Sequence, residues 1–127
     1  MVHIKPYRKY HDQILIELIK KEGIEWKDYT DPDRKDLYLL NCEKSLTFLL
    51  FEDDQLIGYI RALEDFGYAI YICDLLVNQA YRGHGYGKKL ILHLKNLYPK
   101  HEVYVMSDVD PYYIKQGFEH VGSVFKI

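Results

Sequence analysis

Cysteine is scarce in this chain: only Cys42 and Cys73 occur among 127 residues, and both lie in otherwise apolar stretches. That argues against a disulfide-stapled secreted scaffold, since a free thiol in such surroundings packs as a small hydrophobe. Strong charge of one sign is also missing. The formal net charge of −2 provides no field that would gather polyanions, so neither a nucleic-acid nor a membrane partner is expected. No apolar run approaches the roughly 18 residues of a membrane span, and Met1 to Tyr10 carries charge with no apolar stretch behind it. A cytoplasmic, reducing setting is therefore expected. Repeats, low-complexity tracts and linkers are lacking too, and residues 1–127 are expected to form one domain, long enough to bury a core without a structural metal. The histidines show no metal-ligand spacing, and neither cysteine has a histidine close in sequence to make it a nucleophile, so no metal is expected. Tyrosine, by contrast, is abundant: 13 copies supply large amphipathic side chains suited to a wet cleft or an interface.

Periodicity orders what is present. Asp12 can cap a helix with Ile14, Leu15, Leu18 and Ile19 as its apolar stripe and Gly23 as its stop. Asp31-Pro32 opens a polar turn into a second helix that carries Leu37 and Leu40 and ends near Lys44. The intervening loop, Gly23 to Thr30, holds Trp26 and Tyr29, which either roof a pocket or pack on the core. Leu46 to Phe51 and Leu56 to Leu63 read as a hairpin around Glu52 to Gln55. Tyr68 to Val77 is apolar at both alternating sets of positions, the mark of a central strand buried on both faces, and Asp74 is its one charge. Leu90, Ile91, Leu94, Leu97 and Tyr98 define a third helix that Pro99 ends. Glu102 to Met106 is a short strand, Asp110-Pro111 starts a final helix closed by Gly117, and Phe118 to Ile127 is left for one or two terminal strands. The order is that of a mixed α/β sheet with one strand-helix-strand crossover.

The informative segment joins the buried strand to the third helix: Leu75-Leu76-Val77-Asn78-Gln79-Ala80-Tyr81-Arg82-Gly83-His84-Gly85-Tyr86-Gly87-Lys88. Glycines at alternate positions free the backbone to turn its N–H groups inward, and the helix that follows adds the positive end of its dipole. Such a loop can cradle a pyrophosphate or simply make a tight turn. A Walker A loop is excluded, because Arg82 stands where its first glycine belongs and Lys89 where it needs Ser or Thr. The dinucleotide fingerprint also fits poorly, since the glycines are spaced Gly83-x-Gly85-x-Gly87 and there is only one crossover unit.

Arg82, Gly85 and Gly87 do fit the pattern Arg/Gln-x-x-Gly-x-Gly/Ala, and Tyr112-Tyr113-Ile114-Lys115-Gln116-Gly117-Phe118 fits an aromatic-Tyr-x-Lys-x-Gly-Phe segment on a last helix. From about Leu46 to Phe118 the sequence thus resembles the GCN5-related N-acetyltransferase (GNAT) superfamily, and Arg61-Ala62, Asp65 and Asp74 to Val77 resemble its small amine acetyltransferases. The resemblance implies an α/β fold with a mixed, mostly antiparallel sheet, helices on both faces, and fourth and fifth strands that splay to form a cofactor cleft. It also implies transfer of an acetyl group from acetyl-coenzyme A to a primary amine of a small molecule, by direct attack in a ternary complex. A protein or peptide acceptor, or a non-catalytic acetyl-coenzyme A sensor, is the alternative. Monomer and homodimer remain equally open.

Residue roles follow from the same resemblance. Leu75, Leu76 and Val77 would pair with the pantetheine arm, and a backbone N–H near Leu76 or Val77 would face the thioester oxygen. Arg82, Gly83, His84, Gly85, Tyr86, Gly87 and Lys88 would hold the pyrophosphate. Tyr113 matches the family tyrosine that protonates the departing thiolate. A lone acid in a buried strand is costly unless it is satisfied. Asp74 is therefore either the acceptor of the substrate proton or a hydrogen-bonding partner of a neighbouring segment. Glu64 and Asp65, in a turn, are candidate contacts for a cationic substrate, and Trp26 and Tyr29 are further candidate substrate-binding residues.

Overall fold

A computed structural model describes all 127 residues. Its centre is a five-stranded sheet of order β1 (Val2–Pro6), β2 (Leu46–Glu52), β3 (Gln55–Asp65), β4 (Ala69–Val77) and β5 (Glu102–Val105). The first four strands run antiparallel to their neighbours, and β4 and β5 are parallel. This is the expected mixed, mostly antiparallel architecture. The hairpin between β2 and β3 closes through Asp53-Asp54. Asp53 takes φ 52°, a left-handed conformation that short hairpins need and that aspartate tolerates. Parallel pairing of β4 and β5 requires a crossover, and α3 (Tyr86–Leu97) makes it.

Helices cover both faces. On one side α1 (Asp12–Glu22) and α2 (Lys35–Lys44) pack Leu15, Leu18, Ile19, Tyr38 and Cys42 against Leu49, Phe51, Tyr59 and Leu76. On the other, Leu90, Ile91 and Leu94 of α3 pack against Leu50, Ile57, Ile60, Ala62, Ile70 and Ile72, and α4 (Asp110–Lys115) adds Tyr113 to that cluster. Burying one such aliphatic side chain contributes about 1.5–3 kcal/mol, so each face holds its helices mainly by area removed from water.

Several expectations need correction. Asp12 does not cap α1: it is the helix's first residue, and its carboxylate accepts a hydrogen bond from the Tyr7 hydroxyl. Ile16 rather than Ile14 joins the buried stripe of α1. The second helix follows the expected turn and runs from Lys35 to the expected end at Lys44, but it buries Tyr38 and Cys42 while Leu37 and Leu40 stay exposed. Its inward face is thus set by one tyrosine and one thiol, which apolar counting overlooked. The loop from Gly23 is a 3-10 segment, Ile24–Tyr29. Finally, Phe118 to Ile127 forms no strand: Val121, Val124, Phe125 and Ile127 are exposed, since β propensity makes a strand only where an edge is paired.

Candidate active site

The site is organised by one extra residue in β4. Arg61 of β3 faces Asp74, the next residue Ala62 faces Ile72, and Cys73 is left over as a β-bulge. A bulge shifts the alternation of side chains by one. Ile70 and Ile72 therefore point to the α3 face, whereas beyond Cys73 it is Leu75 and Val77 that pack there, and Asp74 and Leu76 turn to the α1 and α2 face. A bulge also bends its strand. Pairing with β5 runs from Ala69 to Ile72 and stops where β5 ends at Val105, so Cys73 to Val77 keep β3 on one side and have an open edge on the other. Gly58 lets β3 follow the bend, because a Cβ at that position would sit 2.8 Å from the Leu76 carbonyl oxygen.

The open edge leads straight into the glycine loop. Asn78 starts a 3-10 turn, Gln79–Tyr81, by accepting the Ala80 N–H at 2.9 Å. Gly83 and Gly85 then adopt φ 86° and 77°, values that disfavour any residue with a Cβ, and Gly85 is the residue immediately before α3. No heavy atom lies within 4 Å of where a Cβ would stand at either glycine. The backbone is thus bare beside a helix N-terminus, the arrangement that favours a phosphate. Gly87 is different: a Cβ there would collide with the Tyr112 hydroxyl, and its next neighbour would be Leu75 at 3.8 Å. Tyr112 therefore reaches from α4 to the seam between the end of β4 and the first turn of α3.

The structure treats the other sequence-predicted residues unequally. Lys88 lies in the first turn of α3 and forms no ion pair, while His84 stacks on Tyr86 at 5.6 Å on the exposed loop. Arg82 points elsewhere: its Nε donates to the Val77 carbonyl at 2.8 Å and its guanidinium pairs with Glu22 at the end of α1. Tyr113 packs among the residues beneath α3 and stands near Tyr112, and burial, reinforced by Tyr112 and Asp108, pushes its phenol up to about 12. It stays protonated throughout the neutral range.

Asp74 does not fit the role of proton acceptor. Its side chain is 2% exposed, Oδ2 accepts from Arg61 Nε at 2.6 Å and from the Tyr38 hydroxyl at 2.7 Å, and Oδ1 accepts from the Tyr29 hydroxyl at 2.8 Å. Glu64 and Asp65 lie at the paired end of β4 rather than at its open end; Glu64 is bound to His101 at 3.0 Å. At about 3.3 Å per residue, the three and four steps from Ile70 and Ala69 to Cys73 keep them roughly 10 and 13 Å from the gap. Trp26 and Tyr29 pack on the core, the second of the two alternatives: Tyr29 stacks on Tyr38 at 4.1 Å and Trp26 meets Tyr59 edge-on at 6.4 Å. Sequence reading passed over Gly58 and Glu22 and gave Arg61 no role at the site. An isolated glycine inside a strand was the available signal for Gly58; nothing in the sequence marked the other two as partners of Asp74 and Arg82.

A strand that outruns its parallel neighbour beside a bare glycine loop at a helix start defines a cleft for a ligand with a phosphate group and an extended arm. Sequence comparison agrees: the chain belongs to the acetyltransferase (GNAT) family, whose model matches residues 12–118, and is thus an acyltransferase. Solved structures share the fold. The PaiA N-acetyltransferase of Thermoplasma acidophilum, in complex with coenzyme A, is 19% identical, with 94% of this chain and 90% of that one covered at a TM-score of 0.76. An aminoglycoside acetyltransferase from an uncultured soil metagenomic sample is 23% identical, with 100% and 97% covered at 0.75. An acetyltransferase of Trypanosoma brucei is 18% identical, with 100% and 99% covered at 0.74. A search of curated proteins gave no match. No helix is long and apolar enough to cross a membrane.

Proposed function

We propose that this single domain transfers the acetyl group of acetyl-coenzyme A to the primary amine of a small molecule by direct attack within a ternary complex. The end of β4–β5 pairing at Ile72, directly before the glycine loop, carries this reading. The pantetheine arm pairs with the free edge of Cys73 to Val77, and the pyrophosphate rests on the backbone of Gly83 to Gly87 with Lys88 supplying charge. An N–H of Leu76 or Val77 faces the thioester oxygen and stabilises the negative charge that develops when the amine attacks. The tetrahedral intermediate then collapses, the C–S bond breaks, and Tyr113 offers its phenolic proton to the leaving thiolate. With Asp74 fully engaged, the amine loses its proton to water. The acceptor enters from the α1 and α2 face, beside Trp26 and Tyr29.

Calorimetry with acetyl-coenzyme A, NAD, ATP and a dephosphorylated pantetheine fragment tests the cleft. Preferred binding of acetyl-coenzyme A is expected, and equal affinity for the fragment or preference for NAD or ATP defeats the reading. The acceptor class is tested by following acetyl-coenzyme A consumption with polyamines, amino acids, aminoglycosides, arylalkylamines and peptides.

A further inference from the structure

The reaction as proposed leaves unused the most elaborate polar cluster in the molecule. Arg61, Asp74, Tyr29, Tyr38 and Tyr59 come from four separate segments and meet on the α1 and α2 face. Their protons run one way: the Tyr59 and Tyr38 hydroxyl oxygens are 2.6 Å apart, so Tyr59 donates to Tyr38, Tyr38 to Asp74, and Arg61 and Tyr29 also to Asp74. Arg61 Nη1 reaches the Ser45 hydroxyl at 3.2 Å as well, and no buried side-chain polar atom lacks a partner. The ion pair is neutral as a unit, so it offers a cationic or an anionic acceptor no net attraction.

Stability alone is a poor reason to bury such a pair, because well-packed apolar residues generally do as well. Fixed geometry is what a fully satisfied network provides. Its position shows what is fixed: Arg61 is the last residue of β3 in register before the bulge, Asp74 is the first residue of β4 beyond it, and the ion pair closes across that step. Apolar packing of Leu75, Leu76 and Val77 also favours Cys73 as the extra residue, but the ion pair is the one polar contact across the step. Slippage by one would turn Asp74 towards the apolar residues under α3 and reverse which N–H groups face the open edge.

We propose that Arg61 and Asp74 are positioning residues: their ion pair, seconded by the Tyr29 and Tyr38 hydroxyls, locks the bulge at Cys73 and thereby aims an N–H of Leu76 or Val77 at the thioester carbonyl. This rests on the placement of acetyl-coenzyme A along the open edge of β4. Neither residue touches the reacting atoms.

The test reads the carbonyl itself. Acetyl-coenzyme A carrying 13C at the thioester carbon is bound to the protein, and the isotope-edited infrared band is compared with that of the free ligand. In the unaltered protein the band moves to lower frequency, as donors pull on the oxygen. In Asp74→Asn and Arg61→Gln about half or more of that shift is lost, while coenzyme A affinity by calorimetry stays within about tenfold, because oxyanion donors act on the carbonyl rather than on the phosphates. A full shift in either folded, saturated variant overturns the proposal: it assigns the pair to stability alone, and if such an Asp74→Asn is also slow, to proton transfer. Should these variants fail to fold, Tyr29→Phe and Arg61→Lys, which leave the charges in place, are expected to lose a smaller part of the shift; full shifts in both overturn it. No shift in the unaltered protein removes the placement of the thioester and this proposal with it, whereas a shift that survives substitution removes this proposal alone.

Discussion

The two halves of β4 differ in almost everything except their chain direction. Ala69 to Ile72 is paired on both edges, and its inward residues, Ile70 and Ile72, meet only apolar neighbours. Cys73 to Val77 is paired on one edge, carries a buried carboxylate, and approaches β3 closely enough to require glycine at position 58. The first half is scaffold, and the second is a site made by withholding a partner. An unpaired buried edge is ordinarily a liability, since each orphaned N–H or C=O costs about as much as a lost hydrogen bond. Under the proposed function the liability becomes the binding surface, with a ligand's amide-bearing arm completing the ladder beyond the end of β5 at Val105.

The strongest way to break this contrast is at the loop that follows the open half. Gly85 stands at φ 77°, where a β-branched residue is strained and its side chain enters the space reserved for phosphate. Gly85→Val should therefore weaken acetyl-coenzyme A binding by about 100-fold or more, combining roughly 1–3 kcal/mol of backbone strain with loss of the cradle. Calorimetry on a variant with an unchanged circular dichroism spectrum checks it, and binding within threefold of the parent would show that the phosphates lie elsewhere.

Tyr113→Phe comes next and bears on chemistry rather than binding. The ring still fills its place beneath α3, so fold and affinity should persist while kcat falls by about 10- to 1000-fold, the usual worth of a positioned proton donor. Tyr112→Phe is the informative companion, because it removes the hydroxyl that leans on Gly87. A larger kcat defect in Tyr112→Phe than in Tyr113→Phe would transfer the donor role to the neighbouring tyrosine.

Gly58→Ala tests the bend from the other strand. The added methyl meets the Leu76 carbonyl, a backbone atom that cannot rotate away, so β3 and β4 must part. A loss of about 1–3 kcal/mol in urea denaturation is expected, typical of overpacking, together with a fall in acetyl transfer. Unchanged stability would mean that the closeness of the two strands at Leu76 is incidental.

What could be read from the sequence follows the same division. The run from Tyr68 to Val77 announced a strand covered on both faces, and Gly83 and Gly85 announced a loop with exposed backbone, because burial and positive φ both leave compositional marks, whereas Gly87 is a buried helix residue. The bulge leaves none: Cys73 adds one residue to a uniformly apolar run, and only the register with Arg61 and Ala62 reveals it. Asp74 could be read as a proton acceptor or as a hydrogen-bonding partner for the same reason, since its partners Tyr29, Tyr38 and Arg61 stand 45, 36 and 13 residues away. The tail from Phe118 erred in the opposite direction, its valines and Phe125 having strand propensity without a partner.

The smallest expected effect concerns Glu22, the one side chain that ties the glycine loop to the face opposite α3. Arg82 belongs to the loop motif, yet its guanidinium is held by Glu22 and by the Val77 carbonyl, so it faces the end of α1 rather than the open backbone of Gly83 and Gly85. The pair is partly exposed, and such pairs are worth about 0–1 kcal/mol. Glu22→Gln removes the competing charge while keeping a side chain of the same length. The freed Arg82 then turns to the pyrophosphate, and coenzyme A binding should tighten by about two- to threefold, within the range that an exposed ion pair can withhold. Because the gain is between exposed charges, it should shrink as salt is raised through the range where the screening length falls to about 8 Å. Weaker binding in Glu22→Gln would mean the reverse, that Glu22 serves the loop by holding Arg82 across the Val77 carbonyl. The open half of β4 would then depend on both faces of the sheet for its shape.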